Sequence, residues 1–349
     1  MTAEPIRWRI ERYVVGLVLV LSAVSVTLGL IEIGLWVRGR FAAPDQTGRQ
    51  YLRPDDDAGW TLRRAVSDAH SPWKTQFTTT PEGWRARYNP GARRRVLVIG
   101  DSFTEGIQVD DDSTYAARLA ASRHDIEFVV MGVAGYGTLQ EVIQFERLLT
   151  TGRTDAVIWQ VSNNDLVNND FALERASLWN NNEAKRPYLE DGRVVMRNPS
   201  VSGPGLHLSI WRVVAARLRL LRATRLSQRS VEQDLDKHPT DFAHALAVTG
   251  LLFHRARHDA TEVPMVAFLA DREFNGRVLD VAASEGFLVA PVREALDSAV
   301  ARRENIAATP RDAHWNARGH AIAAQVLLQS LDALLPRDST ASAAGPVHR

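Results

Sequence analysis

The sequence predicts an α/β protein: a central parallel sheet covered by helices on both faces, preceded by one N-terminal transmembrane helix. Three observations predict it. Short β-branched runs recur at Val96–Ile99, Phe128–Met131, Ala156–Val161, Val263–Leu269 and Phe287–Ala290. Helical patterns lie between or after them, at about 113–123, 138–150, 241–259, 273–285 and 317–334, and strands alternating with helices of that length imply crossover connections. The strands are apolar throughout instead of alternating, as expected of a sheet with no wet face.

The N-terminal element comes first. From Val14 through Ile31 the chain has 18 residues without a charge, and apolar character resumes after Glu32 as far as Val37, 24 residues in all. At about 1.5 Å per residue this spans the roughly 30 Å hydrocarbon core of a bilayer. Arg7, Arg9 and Arg12 precede it, and Arg38 and Arg40 follow. A cleaved signal peptide would carry a shorter apolar core and a small-x-small cleavage site, whereas this run is long and is followed by Arg-Gly-Arg-Phe, so an uncleaved anchor is expected within residues 1–37. The short N-terminus is expected inside and the large C-terminal part outside, although the basic residues nearly balance.

Residues 38–94, rich in Pro, Asp, Thr and Arg, read as a linker leading into a small irregular or hairpin segment, Lys74 to Tyr88. The α/β pattern then occupies 95–335. Residues 171–240 interrupt it with a hairpin pattern, Arg186–Pro199, and a basic helix, and read as an insertion on one edge. The last stretch, 336–349, is Ala, Ser, Thr and Pro without periodicity and reads as a disordered tail.

Composition bounds the chemistry. The 349 residues carry 42 Lys+Arg against 41 Asp+Glu, so no overall field gathers phosphate backbones and no nucleic-acid partner is expected. The chain has no cysteine, which excludes disulfides, Cys-ligated metals, iron–sulfur clusters and a thiol nucleophile. No cofactor or metal is expected.

Four segments fall at strand ends, where an open parallel sheet displays its ligands. The first predicted strand runs into GDSFTEG (Gly100 to Gly106), which presents Ser102 after a turn at Gly100. Alone, this segment could equally be a turn whose Asp101 and Ser102 cap the next helix. Its surroundings are not the Gly-x-Ser-x-Gly elbow, because Thr104 occupies the second glycine position. After the second strand comes GVAGYGT (Gly132 to Thr138), where the Gly135 N–H can approach a reacting carbonyl with no side chain in the way. After the third comes VSNNDL (Val161 to Leu166), whose Asn164 amide could donate to a developing oxyanion. Near the C-terminus, RDAHWNARGH (Arg311 to His320) offers His314 with Asp312 two residues earlier. A Ser, two oxyanion donors and a His/Asp pair, in that order, are the parts required for acyl transfer through a covalent intermediate.

With these residues in place, the sequence resembles the SGNH/GDSL hydrolases over roughly 95–335, through Gly-Asp-Ser-Phe, Gly-Tyr-Gly-Thr, Asn-Asp and Asp-x-His-Trp-Asn-x-x-Gly-His. The resemblance implies a flavodoxin-like three-layer α/β/α sandwich. It also implies Ser102 as nucleophile, His314 as general base, Asp312 as its partner, and an oxyanion hole of the Ser102 N–H, the Gly135 N–H and the Asn164 side chain. TTPEGWRAR (Thr79 to Arg87) is similar to an element preceding the first block in membrane-anchored members, with Thr79 and Thr80 in place of the usual Asn and Ser. Two positions depart from the pattern: Ser162 replaces the Gly of the third block, and Arg311 stands where the acid usually precedes His by three residues. The Asp-x-His-Trp spacing also resembles polysaccharide O-acetyltransferases of the alginate type.

The expected function is therefore a membrane-anchored serine esterase acting on a carbohydrate, lipid or small-molecule ester. A polysaccharide O-acetyltransferase is the alternative, and a catalytically silent membrane-held binding or scaffold protein a third reading. The ester, the acceptor and the oligomeric state are not legible in the sequence.

Other signals rank lower. His254 and His258, four apart on a predicted helix, lack an acidic third ligand. GVAGYG lacks the order of a dinucleotide loop. Asp110, Asp111 and Asp112 read as a loop end capping the next helix. Leu206–Ser230 carries six arginines and no acid, and reads as a helix packed on its own domain sooner than as a lipid contact.

Overall fold

The computed structural model describes residues 6–41, 51–67, 69–70, 73–177, 184–199, 239–271, 277–309 and 312–337. The basic stretch Leu206–Ser230 and residues 338–349 of the tail lie outside them.

Helix α1, Ile6–Phe41, contains an apolar span, Tyr13–Gly34, of 22 residues with mean hydropathy 2.6. At about 1.5 Å per residue that is roughly 33 Å, long enough to cross a bilayer. Most of its large side chains, Leu17, Val20 and Leu30 among them, are more than half exposed, which in water would be unfavourable.

A second unit comprises residues 50–201 and 229–349. It opens with the antiparallel hairpin β1 (Leu52–Asp55) and β2 (Gly59–Leu62), then a two-residue pair, β3 (Ala69–His70) and β4 (Gln76–Phe77). Next come β5 (Ala86–Tyr88), β6 (Arg94–Gly100), α2 (Ser102–Glu105), α3 (Tyr115–Ser122), β7 (Ile126–Gly132), α4 (Thr138–Leu149) and β8 (Ala156–Val161). Helices α5 (Asn163–Asn169) and α6 (Phe171–Ala176) lead to the hairpin β9 (Arg186–Glu190) and β10 (Arg193–Arg197). The chain finishes with α7 (Pro239–Asp259), β11 (Met265–Leu269), α8 (Arg277–Ser284), β12 (Leu288–Val289), α9 (Val292–Ala301), the pair β13 (Ala307–Thr309) and β14 (Asp312–Trp315), and α10 (Ala317–Leu334).

Six strands form the central sheet in the order β12-β11-β8-β6-β7-β5. The five parallel strands, numbered along the chain, thus run 2-1-3-4-5, the flavodoxin-like order. Alternate side chains of each strand enter opposite layers. Leu97, Ile99, Val129, Met131, Val157 and Trp159 pack with Phe145 of α4, Phe253 of α7 and Val278 of α8. Val96, Val98, Phe128, Val130, Ile158 and Phe268 pack with Leu119 of α3, Leu296 of α9 and Leu327 of α10. Both faces are therefore dry, which explains why the strands are continuously apolar.

Within Lys74–Tyr88, read from the sequence as irregular or hairpin, β4 pairs with β3 and β5 joins the sheet edge antiparallel to β7. Two features differ from the sequence reading. Part of the expected linker is ordered, with Tyr51, Trp60, Leu62 and Phe77 buried in the core, because their apolar area outweighs the local Pro and Asp signals. The residue that caps α3 is Thr114, which accepts the Ala117 N–H, while Asp110 and Asp111 accept backbone N–H groups from Gln76 and Thr78.

Close backbone approach fixes the sheet's upper edge. A Cβ on Gly132, the last residue of β7, would collide with the backbone of Thr104 and Glu105, so only glycine lets α2 lie against the end of β7.

Candidate active site

Ser102 opens α2 directly after β6. Asp101 caps the helix by accepting the Phe103 N–H (3.1 Å), and Gly106 ends it in the left-handed region at φ 62°. As first residue of the helix, Ser102 has no intrahelical acceptor for its N–H. Gly100 is required by space: a Cβ there would collide with Thr104 Oγ1 and Gln160 Oε1. Through that gap Gln160, on β8, accepts both the Asp101 N–H (3.0 Å) and the Thr104 hydroxyl (2.9 Å), tying the serine turn to the neighbouring strand.

Asp312 and His314 lie on β14, where a period of two turns both side chains to the same face. His314 Nδ1 is 2.5 Å from Asp312 Oδ1, which also accepts the His314 backbone N–H at 3.0 Å. His314 Nε2 is 2.7 Å from Ser102 Oγ. With Nδ1–H donated to Asp312, Nε2 is left to accept the serine proton. The imidazole packs at a tilt against Phe103 (4.7 Å between centroids), and the adjoining Trp315 packs edge-on against the same ring (5.1 Å). Asn316 then caps α10 by accepting the Arg318 and Gly319 N–H groups.

The electrostatics favour a charged His/Asp pair. Burial works against the imidazolium, but the hydrogen bond and charge of Asp312, backed by Asp101 and Glu105, outweigh it and hold His314 above its ordinary pKa. Burial likewise works against the Asp312 carboxylate, and the hydrogen bonds and charge of His314 overcome it, holding Asp312 low. Behind this pair, burial raises Asp101, burial and repulsion from neighbouring carboxylates raise Glu141 and Asp165, and burial pushes Asp271 up to about 7.

Asn164 sits in the first turn of α5, after β8. Its Nδ2 donates to the Tyr136 carbonyl (3.1 Å) and to Asn168 Oδ1 (3.2 Å), and it is near enough to Asp101 to favour the charged form of that carboxylate. Asn164 therefore adjoins both the serine block and the Gly135 turn. Ser162, in place of glycine, does not disturb this turn: its N–H goes to Asp165 (3.0 Å), its hydroxyl accepts from Gln160 (2.7 Å), and the Asn163 N–H goes to Asp271 (3.2 Å). Gly135 adopts φ 77°, which favours glycine, and its carbonyl accepts from Arg186 Nη2 at 2.8 Å.

Ser102, His314 and Asp312 are thus hydrogen-bonded in series, with Asn164 and the Gly135 turn beside them. Sequence reasoning missed Gln160, Glu105, Trp60 and Arg186, which hold these segments in place; Glu105 and Gln160 lie in or beside the segments but their partners are remote in the chain, and Trp60 and Arg186 carry no motif. Arg311 lies outside the described residues. His254 is 2.8 Å from Glu285, His258 is 3.6 Å from Asp259, and both are on the surface. Among the described residues no group of three or more His, Cys, Asp or Glu could hold a metal ion. Two cavities, of about 290 and 420 Å³, are lined by Arg53, Trp84, Arg147 and by Arg87, Arg95, Glu127 respectively, and include none of the four segments.

No protein-family model matches the chain, and no curated protein matches it. Among solved structures, the chain is similar to an acetyl xylan esterase from Geobacillus stearothermophilus (13% identity, 72% of this chain and 100% of that one, TM-score 0.41). It is similar to an alpha/beta hydrolase enzyme from the metagenome of Lake Arreo, Spain (16%, 70% and 98%, TM-score 0.40). A member of the lipolytic protein G-D-S-L family from Veillonella parvula is a third (14%, 68% and 97%, TM-score 0.37).

Proposed function

We propose that the chain is a membrane-anchored serine esterase of SGNH/GDSL type that cleaves a carbohydrate, lipid or small-molecule ester through an acyl-enzyme. The observation that carries this reading is the series Ser102 Oγ to His314 Nε2 at 2.7 Å and His314 Nδ1 to Asp312 at 2.5 Å.

In the first step Ser102 Oγ bonds to the ester carbonyl carbon while its proton passes to His314 Nε2. Asp312 stabilises the imidazolium that forms. The negative charge on the former carbonyl oxygen is received by the Ser102 and Gly135 N–H groups and by Asn164, which exchanges one of its present acceptors for the oxyanion. Collapse breaks the ester C–O bond, and the departing alcohol takes the proton from His314. A water, deprotonated by His314, then attacks the acyl carbon and releases the acid and free Ser102. The apolar span Tyr13–Gly34 supports a tether to the bilayer.

The full-length chain in detergent is expected to hydrolyse p-nitrophenyl acetate, and Ser102→Ala to lose that activity. Equal rates in the two proteins would sink the proposal. An acyl donor offered with a glycan separates hydrolysis from transfer by whether free acid or an acylated sugar accumulates.

A further inference from the structure

The turn carrying Gly135 is gripped by side chains from three remote segments. Glu105 Oε1, at the end of α2 and fully buried, accepts the Ala134 N–H at 3.1 Å. Trp60 Nε1, on β2, donates to the Ala134 carbonyl at 3.2 Å. Arg186 Nη2, on β9, donates to the Gly135 carbonyl at 2.8 Å. The next carbonyl, Tyr136, receives Asn164, and the Tyr136 N–H returns to Val133.

The Ala134 carbonyl and the Gly135 N–H are opposite ends of one planar peptide unit and point in opposite directions. An indole that fixes the carbonyl therefore fixes where the N–H points. Arg186, by holding the following carbonyl, restrains the other side of the same glycine, whose φ of 77° lies in a region that glycine enters and leaves cheaply.

The two grips are built as one assembly. The Arg186 guanidinium lies 5.0 Å over the Trp60 ring and 3.1 Å from Glu174, with all three side chains buried. Glu174 accepts the Tyr188 hydroxyl at 2.8 Å, and the Tyr136 hydroxyl returns to the Trp60 carbonyl at 2.5 Å. A buried arginine matched to a buried carboxylate contributes little net stability, and the same guanidinium also holds the Gly135 carbonyl.

We propose that Trp60 and Arg186 are positioning residues that aim the Gly135 peptide as an oxyanion donor. The inference rests on the esterase reading above. It places part of the oxyanion hole's support on the hairpins β1–β2 and β9–β10, outside the segments that carry the reacting groups.

The test compares the full-length wild type with Trp60→Phe, which keeps an aromatic ring in the packing but removes the indole N–H together with one ring of the pair, and with Arg186→Lys, which keeps the charge beside Glu174 and removes the fork. Both should lower kcat toward p-nitrophenyl acetate by roughly 10- to 100-fold, less than outright loss of a donor, with KM within about twofold. The acid limb of the pH profile should stay in place, because neither residue touches His314. Wild-type kcat in Trp60→Phe, or a loss carried by KM, overturns the inference; should Trp60→Phe fail to fold, Arg186→Lys decides by the same readings. Failure of the underlying reading looks different: the wild type is then inactive, or its activity survives Ser102→Ala.

Discussion

Asp312 and His314 stand two apart on β14, and the alternation of a strand is what lets so short a spacing produce a 2.5 Å contact between them. The spacing of two, where the resembling pattern has three, therefore still gives a hydrogen-bonded pair. Because His314 is held above the ordinary value of 6.5 and must be unprotonated to act as base, kcat/KM should fall on the acid side with a midpoint above pH 6.5. Asp312→Asn removes the hydrogen bond and charge that raise it, so the limb should move to lower pH while the plateau drops by roughly 10²- to 10⁴-fold. A pH–rate profile of the two proteins checks both; an unmoved limb contradicts the role given to Asp312. At this scale Ser102, Asn164 and His314 were legible because each belongs to a short local pattern. Trp60, Glu105 and Arg186 were not, since they meet Ala134 and Gly135 only after folding has closed separations of 74, 29 and 51 residues.

The elements that could be read from the sequence are those whose environment is uniform along their length. Strands β6, β7, β8 and β11 are buried on both faces, so their middles are continuous apolar runs that stand out from their flanks, with Arg94, Arg95, Glu127 and Gln160 as the polar exceptions. Strand β5 has only three residues, too few for its alternation to stand out, and its register on β7, Ala86 against Val130, is what makes it a strand. Hairpin β1–β2 was hidden for the same reason: its Pro, Asp and Thr read as linker, and its order comes from burying Trp60 and Leu62. Helix α1 is the opposite case, fully legible from composition. The full-length chain should remain with membranes after alkaline carbonate extraction, with Met1 or its immediate neighbour as its N-terminal residue. Release into the supernatant, or an N-terminus beyond residue 37, would identify the segment as a cleaved signal instead.

In the α/β unit as a whole, the strand order 2-1-3-4-5 puts the topological switch beside β6, the strand that leads into Ser102, and next to β8, which leads into Asn164. The fold therefore delivers the candidate nucleophile and one candidate oxyanion donor to the crevice where open α/β sheets bind ligands. The C-terminal strand β14 then brings His314 across from the far end of the chain, 212 residues away from Ser102. Two hairpins outside the sheet complete the support by holding the Gly135 turn. With 42 basic against 41 acidic residues, the protein applies no long-range field to its ligands, so recognition must be carried by local contacts. The account turns on Ser102 being a nucleophile activated by His314. The most direct measurement is the intact mass, followed by peptide mapping, of the full-length chain after exposure to a fluorophosphonate. A single adduct on Ser102, lost in Ser102→Ala and strongly slowed in His314→Ala, is the predicted result. No adduct, or one on a different residue while ester hydrolysis proceeds, would contradict it.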